Sequence, residues 1–357
     1  MHASIKHKLL IAGILFLYLI ILSACAGAPA AEEPTAPVEP IEPSEELPVA
    51  YGQDSRTELF QHPDTKLREM ASSVAVLVNS QQVHPAGNSV SLDGYTLNEM
   101  SEKGWLVAGV NAPMCSSELF ATQAAPGFCT GFLVGEDVLV TAGHCLLKAS
   151  CSNTSVVFGF QMESADSLAG LTNADVFKCT EVIAQVLPTP ENQYLDYAII
   201  RLDRPTGRAG LVYATEDTLV AKTNVAVVGH PSGLPMKIAS DAFVTINDRS
   251  TPFFVTNLDT FGSNSGSPVI NTTSYQVEGI LVRGEIDYVL SDDGSCVQVN
   301  HCPEEVGANC AGENATKMSM LANKIPKSDN PISDGLNCIP GLLTVLILVL
   351  LVRFKSI

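Results

Sequence analysis

The 357-residue sequence predicts an all-β fold, and its patterning carries that reading. Short runs rich in Val, Ile, Phe and Thr recur along it, among them Ser155–Phe160, Tyr197–Leu202, Val225–Val228 and Val277–Val282. Gly, Pro, Asn and Asp punctuate these runs, which is how strands and their turns are written in sequence. No internal repeat and no long amphipathic helix interrupts the pattern. The middle of the chain is long enough for one sizeable globular unit or two lobes sharing a cleft. The formal net charge of −18 argues against nucleic acid as a partner and suits solubility outside a membrane.

The chain opens like an exported protein. His2, Lys6, His7 and Lys8 form a basic start, and Leu9 to Leu22 is apolar apart from Gly13 and Tyr18, so residues 1–24 read as a signal peptide. The segment Leu22-Ser23-Ala24-Cys25 resembles a bacterial lipobox, which implies cleavage before Cys25 and lipidation of that cysteine. Several acyl chains on one residue anchor stably where one alone is marginal. An ordinary secretory peptide or an uncleaved helix is the plainer alternative.

Residues 25–50 follow as a tether, and positions 26 to 48 contain six prolines, six glutamates and no lysine or arginine. Such a composition favours a semi-stiff, extended chain of about 3.1 Å per residue. Residues 51–110 are expected to be an N-terminal leader segment, 111–325 the main globular domain and 326–338 a linker. At the far end Leu342–Val352 is almost unbroken apolar sequence, followed by Arg353 and Lys355. Residues 339–357 therefore read as a hydrophobic anchor or sorting tail, at roughly 20 Å shorter than a bilayer core. Either anchor places the protein at a membrane, in the periplasm, the outer membrane or on the cell surface.

Ten cysteines agree with an oxidising compartment. With Cys25 lipidated and Cys338 assigned to the tail, eight remain. No CxxC or HExxH pairing is present, so disulfides are favoured over metal binding and no cofactor is expected. Cys129 and Cys145 flank the strand pair leading into His144 and are expected to pair, with Cys151 and Cys179 as a second bridge. Cys115, Cys296, Cys302 and Cys310 cannot be paired from sequence.

Three segments carry chemistry. His144 sits in Thr141-Ala142-Gly143-His144-Cys145 after a β-rich run, where small neighbours let the imidazole turn into a cleft. Asp196 stands at the mouth of the apolar strand Tyr197–Leu202, where a carboxylate is costly to bury unless a group such as a histidine N–H bonds to it. Ser265 lies in Gly262-Ser263-Asn264-Ser265-Gly266-Ser267-Pro268, small residues that allow a tight turn aiming N–H groups at a developing oxyanion. Singly each has a duller reading, as surface histidine, turn aspartate and Ser/Gly loop. Together, in the order His, Asp, Ser, they match a catalytic triad, in which imidazole takes the serine proton and carboxylate holds the imidazole.

These segments resemble the chymotrypsin-like serine endopeptidases, and among them the bacterial glutamyl-endopeptidase-like branch. Phe128-Cys129-Thr130-Gly131-Phe132-Leu133-Val134, Gly229-His230-Pro231-Ser232-Gly233-Leu234-Pro235 and Gly279-Ile280-Leu281-Val282-Arg283-Gly284 fit the same pattern. Tyr51-Gly52-Gln53-Asp54-Ser55-Arg56 resembles a leader found before such domains. The resemblance covers roughly residues 110 to 325. It implies two six-stranded antiparallel β-barrels with the active-site cleft between them, His144 and Asp196 from the first barrel and Ser265 from the second. It also implies protein or peptide substrates, and an oxyanion hole from the N–H groups of Ser263 and Ser265.

Three departures from the family pattern stand out. Ser263 occupies a position usually held by glycine. Asn264 replaces the aspartate that pairs with a freshly cut N-terminus in trypsin-type zymogens. Leu281-Val282-Arg283 lacks the histidine of glutamate-selective members. The specificity pocket is therefore open: Asp259, six residues before Ser265, would favour lysine or arginine, whereas Thr260 and Arg283 would receive an acidic side chain. Asp259 as a turn residue satisfied by backbone is the blander reading. An inactive homologue using the cleft as a peptide- or protein-binding module, and an esterase using the triad on small substrates, are the rival functions.

Overall fold

The computed structural model describes residues 50–190, 195–303, 306–307 and 310–326. The expected signal peptide, Cys25, nearly all of the tether and the apolar tail at 339–357 lie outside the described residues. Among the described residues no helix is long and apolar enough to cross a membrane.

Twelve strands build two closed antiparallel barrels. The first comprises β1 (Val74–Asn79), β2 (Cys129–Leu133), β3 (Val138–Thr141), β4 (Thr154–Phe158), β5 (Val176–Val186) and β6 (Tyr197–Leu202). Its neighbours run 1-2-3-6-5-4 and back to 1. The second comprises β7 (Asn224–Gly229), β8 (Lys237–Ile246), β9 (Phe253–Thr256), β10 (Pro268–Asn271), β11 (Val277–Arg283) and β12 (Glu313–Lys317). Its neighbours run 7-8-9-12-11-10 and back to 7, so both barrels share one topology.

Strand alternation divides the apolar side chains between two cores. Along β7, Val225 and Val227 enter the interior of the second barrel with Phe254, Val269 and Leu281. Ala226 and Val228 turn the other way, into a core continuous with Phe132, Leu139 and Ile199 of the first barrel. One side of the second barrel thus packs on the first, and a cleft lies along the seam.

The expected leader at 51–110 is structural. Strand β1 lies inside it and pairs with both β2 and β4, so without it the first barrel has no closure. Its side chains from Val74 to Val78 are all 0% exposed, because one face meets the barrel interior and the other an outer cluster with Phe160 and Leu171. A helix, Thr65–Met70, leads into it, capped by Asp64 accepting from Lys66 N and Leu67 N. Upstream, Ala50–Tyr51 pairs with His301–Cys302 and Thr57–Glu58 pairs with β8 of the second barrel. Arg56 is buried there, bidentate to Asp54 and 3.6 Å from the centre of the Phe261 ring. Glu58 meets the buried Lys237 at 3.1 Å.

Among the described residues four disulfides join Cys115–Cys296, Cys129–Cys145, Cys151–Cys179 and Cys302–Cys310. The two expected pairs are present. The others bring together residues 181 and 8 positions apart.

A chain lacking residues 51–110 is expected not to fold, since barrel closure and the buried Glu58–Lys237 pair are lost together. Far-UV circular dichroism and gel filtration of that variant beside the full chain check this; a monomer with a native β spectrum would contradict it.

Candidate active site

His144 and Asp196 meet because of strand register. β3 and β6 are antiparallel, with Thr141 opposite Ala198, so the residue three past Thr141 lies beside the one two before Ala198. His144 Nδ1 is 2.6 Å from Asp196 Oδ2, and the backbone N–H of His144 donates to Oδ1 at 3.0 Å. Facing a carboxylate, Nδ1 carries the proton and leaves the Nε2 lone pair available. Gly143 makes the approach feasible: a Cβ there would lie 2.2 Å from Val186 O and 2.8 Å from Asp196 Oδ1. Gln185 Nε2 holds the Gly143 carbonyl at 2.8 Å.

Asp196 is 3% exposed and tied across the seam. Its N–H donates to Thr316 Oγ1 at 3.2 Å, and the Thr316 hydroxyl donates to its carbonyl at 3.1 Å. A threonine of the second barrel therefore fixes the aspartate contributed by the first.

The loop bearing Ser265 precedes β10 and is clamped from the first barrel by Thr130, which is 0% exposed. Thr130 N donates to Ser265 O at 2.9 Å, and Thr130 Oγ1 donates to Ser263 O at 2.9 Å and accepts from His230 N at 3.1 Å. The Ser265 carbonyl oxygen also lies 3.6 Å from Cys145 Sγ, next in sequence to His144. The three expected residues therefore converge on one end of the seam.

Ser263 takes up the conformation that glycine would favour, with φ at +71°. The left-handed region costs a residue bearing Cβ roughly 1–2 kcal/mol. Here the Thr130 bond to its carbonyl and its own Oγ donating to Gly127 O at 3.2 Å offset that cost. Among the described residues neither Ser263 N–H nor Ser265 N–H has an acceptor. Asn264 is buried, with its N–H on Phe261 O and its Oδ1 3.4 Å from Ser267 Oγ, so hydrogen bonds rather than an ion pair hold this residue.

The Gly229–Pro235 segment supports the same loop. Ser232 N donates to Gly262 O at 2.5 Å, and Ser232 Oγ meets Tyr288 OH at 2.8 Å. Burial drops the His230 imidazole to about 3, so it stays neutral, with Nδ1 on Leu234 O at 2.9 Å. Gly262 N donates in turn to Asp287 Oδ2 at 2.7 Å.

Asp259 does not line the pocket. Its carboxylate accepts from Tyr51 N, Ser55 N and Ser55 Oγ at 2.6–2.7 Å, so the upstream segment occupies both oxygens. The turn-type reading, satisfied largely by backbone, describes it. Thr260 and Arg283 do line a cavity of about 200 Å³ beside Ser265, but with Glu313, Glu285 and Asp287, which sequence reasoning missed. Cys129, His144 and Cys145 lie close enough to suggest a metal. The cysteines are bonded to each other and His144 to Asp196, so this cluster is not a ligand set.

Two closed six-stranded barrels with the site at their seam define a chymotrypsin-like fold. Residues 129–280 match the family model of the trypsin-like peptidase domain. Among solved structures, a Glu endopeptidase in complex with MPD is 18% identical, with a TM-score of 0.43, over 77% of this chain and 97% of its own. The VesB protease of Vibrio cholerae is 15% identical, with a TM-score of 0.45, over 77% of this chain and 66% of its own. No curated protein sequence matches the chain.

Burial pushes the Asp287 carboxyl up to about 6, with Arg56 and Lys148 only partly opposing. The folded chain therefore holds a proton there between about pH 4 and 6 that the unfolded chain releases. Ionised Asp287 lowers stability above pH 6, and the penalty disappears as pH falls. Asp287→Asn should raise stability at pH 7 by about 1–2 kcal/mol. It should also reduce the gain seen between pH 7 and 5, measured by urea unfolding at each pH; an unchanged pH profile would contradict this.

Proposed function

We propose that the chain is a serine endopeptidase with Ser265 as nucleophile, His144 as general base and then acid, and Asp196 as the residue that orients and stabilises the imidazolium. The double engagement of Asp196 by His144, through Nδ1 and the backbone N–H, is the observation that carries this reading. It leaves Nε2 facing away from the carboxylate with its lone pair available for the Ser265 proton.

As Ser265 Oγ attacks a peptide carbonyl, His144 Nε2 takes the hydroxyl proton and the carbonyl oxygen becomes an oxyanion. The free N–H groups of Ser263 and Ser265 receive that charge. Collapse of the tetrahedral intermediate breaks the C–N bond, and His144 returns the proton to the leaving amine. Water, deprotonated by His144, then releases the acyl-enzyme by the same steps.

The proposed setting is extracytoplasmic and at a bacterial membrane, through lipidated Cys25, the apolar tail, or both. Four disulfides support an oxidising compartment.

Proteolysis of a diverse peptide library by the full chain, read by mass spectrometry, tests the reading. Ser265→Ala should abolish cleavage with the fold unchanged, and Asp196→Asn should lower kcat about 10⁴-fold through the wrong imidazole tautomer. Cleavage retained by Ser265→Ala would refute the assignment, and silence from a folded wild-type chain would favour the binding-module alternative.

Thr130→Val keeps the shape but strips the Ser263 carbonyl and His230 N–H of their partner. With a buried group left unpaired at about 1–3 kcal/mol, kcat should fall about 10- to 100-fold with KM nearly constant. Thr130→Ser should restore it; a loss confined to KM would contradict the positioning role.

A further inference from the structure

We propose that the apolar turn at residues 105–110, with Tyr95 and Lys103 beside it, is a docking face for the surface of a lipid bilayer. The inference rests on the proposed membrane anchorage and is independent of the reading of Ser265 as nucleophile.

The face is apolar where water reaches it. Trp105-Leu106-Val107-Ala108-Gly109-Val110 is an unbroken apolar run lying in a turn, outside any strand or helix. Leu106, Val107 and Val110 are half-buried against a cluster that includes Ala50, Met114 and Val297, whereas Ala108 and Gly109 are exposed. Trp105 is 58% exposed, and Tyr95, 48% exposed, meets it edge to face with ring centres 5.1 Å apart. These groups adjoin one another, unlike the single apolar residues scattered over any surface.

The turn is held in place. The helix Leu97–Glu102 stops at Gly104, whose φ of +71° turns the chain, and Trp105 N bonds back to Met100 O at 3.0 Å. Ser101 Oγ donates to Ala112 O at 2.7 Å and Asn111 Nδ2 to Glu102 O at 3.0 Å, which closes the turn at its base. Just beyond, Cys115 is bonded to Cys296. The exposed rings therefore stand on a fixed support.

Chemistry and placement together favour a bilayer. Lys103 Nζ lies 4.9 Å from the centre of the Tyr95 ring and 5.8 Å from that of Trp105. Two amphipathic rings with an ammonium at their rim suit the headgroup layer, where the rings settle and lysine reaches lipid phosphate. The acids of the adjoining helix are engaged within it, Glu99 by Thr96 N and Glu102 by Asn98 Nδ2. Ala50, the first described residue, packs in the same cluster as Leu106, Val107 and Val110. The chain thus passes into the expected tether beside this face. An anchor upstream of Ala50 keeps the face within reach of the surface at high effective concentration. The net charge of −18 gives the chain no general attraction to lipid, so apolar contact under the tether has to seat it.

Trp105 is the single tryptophan of the sequence, so tryptophan emission reports this face alone. The full chain carrying Ser265→Ala, which prevents self-cleavage, is reconstituted with phosphatidylcholine vesicles and followed by flotation and fluorescence. It should float with the vesicles and its emission should shift to the blue. Lipid brominated along the acyl chains should quench that emission by at least about half. Ala108→Asp, at an exposed position, should float equally but lose at least about two-thirds of the quenching.

Flotation without quenching, or equal quenching in Ala108→Asp, would overturn the docking face and leave the anchor standing. Failure to float would defeat both. A blue shift that needs no lipid and grows with protein concentration would assign the face to a second copy of the chain and overturn the bilayer reading.

Discussion

The seam between the barrels is held at the site by two buried threonines, and the arrangement of the site depends on them. Thr316 of the second barrel grips the backbone of Asp196 from the first. Thr130 of the first grips the carbonyls of Ser263 and Ser265 from the second. The bonds run in opposite directions across the cleft, so neither barrel can shift at this end without breaking both sets. A site divided between two barrels requires such registration, because positioning to within a fraction of an ångström decides whether a nucleophile and its base can act together. Here neutral hydrogen bonds provide it, where trypsin-type zymogens rely on an ion pair to a new N-terminus.

The buried acids divide by environment. Asp196 receives an imidazole N–H and a backbone N–H from His144. Asp259 receives two backbone N–H groups and a hydroxyl from the upstream segment. Burial raises Asp259 despite these donors, and it raises Glu313 and the half-buried Asp287 as well.

Much of this was legible in the sequence, and the parts that were not share a cause. The meeting of His144 with Asp196, and the placing of the Ser265 loop at the same end of the seam, were readable because each residue sits in a local setting of strand end or small-residue turn. Cys129–Cys145 and Cys151–Cys179 were readable as short-range pairs, whereas Cys115–Cys296 spans 181 positions. The reading of 51–110 as a leader missed β1, whose Val74-Ala75-Val76-Leu77-Val78 run is apolar on both faces and lacks the alternation of a half-buried strand. Asp259 drew attention by its distance from Ser265, but the segment that occupies it lies 204 to 208 positions upstream. Glu313 went unnoticed because nothing local marks it; the pairings of β12 with β9 and β11 place it at the cavity.

The central claim is that Ser265 is a nucleophile activated through His144 and Asp196. Treating the full, oxidised chain with a small fluorophosphonate and mapping the adduct by peptide mass spectrometry tests it most directly. The account predicts one covalent adduct, on Ser265, formed slowly or not at all in His144→Ala. An adduct on another residue, equal labelling without His144, or none on a chain with its native disulfides would contradict it.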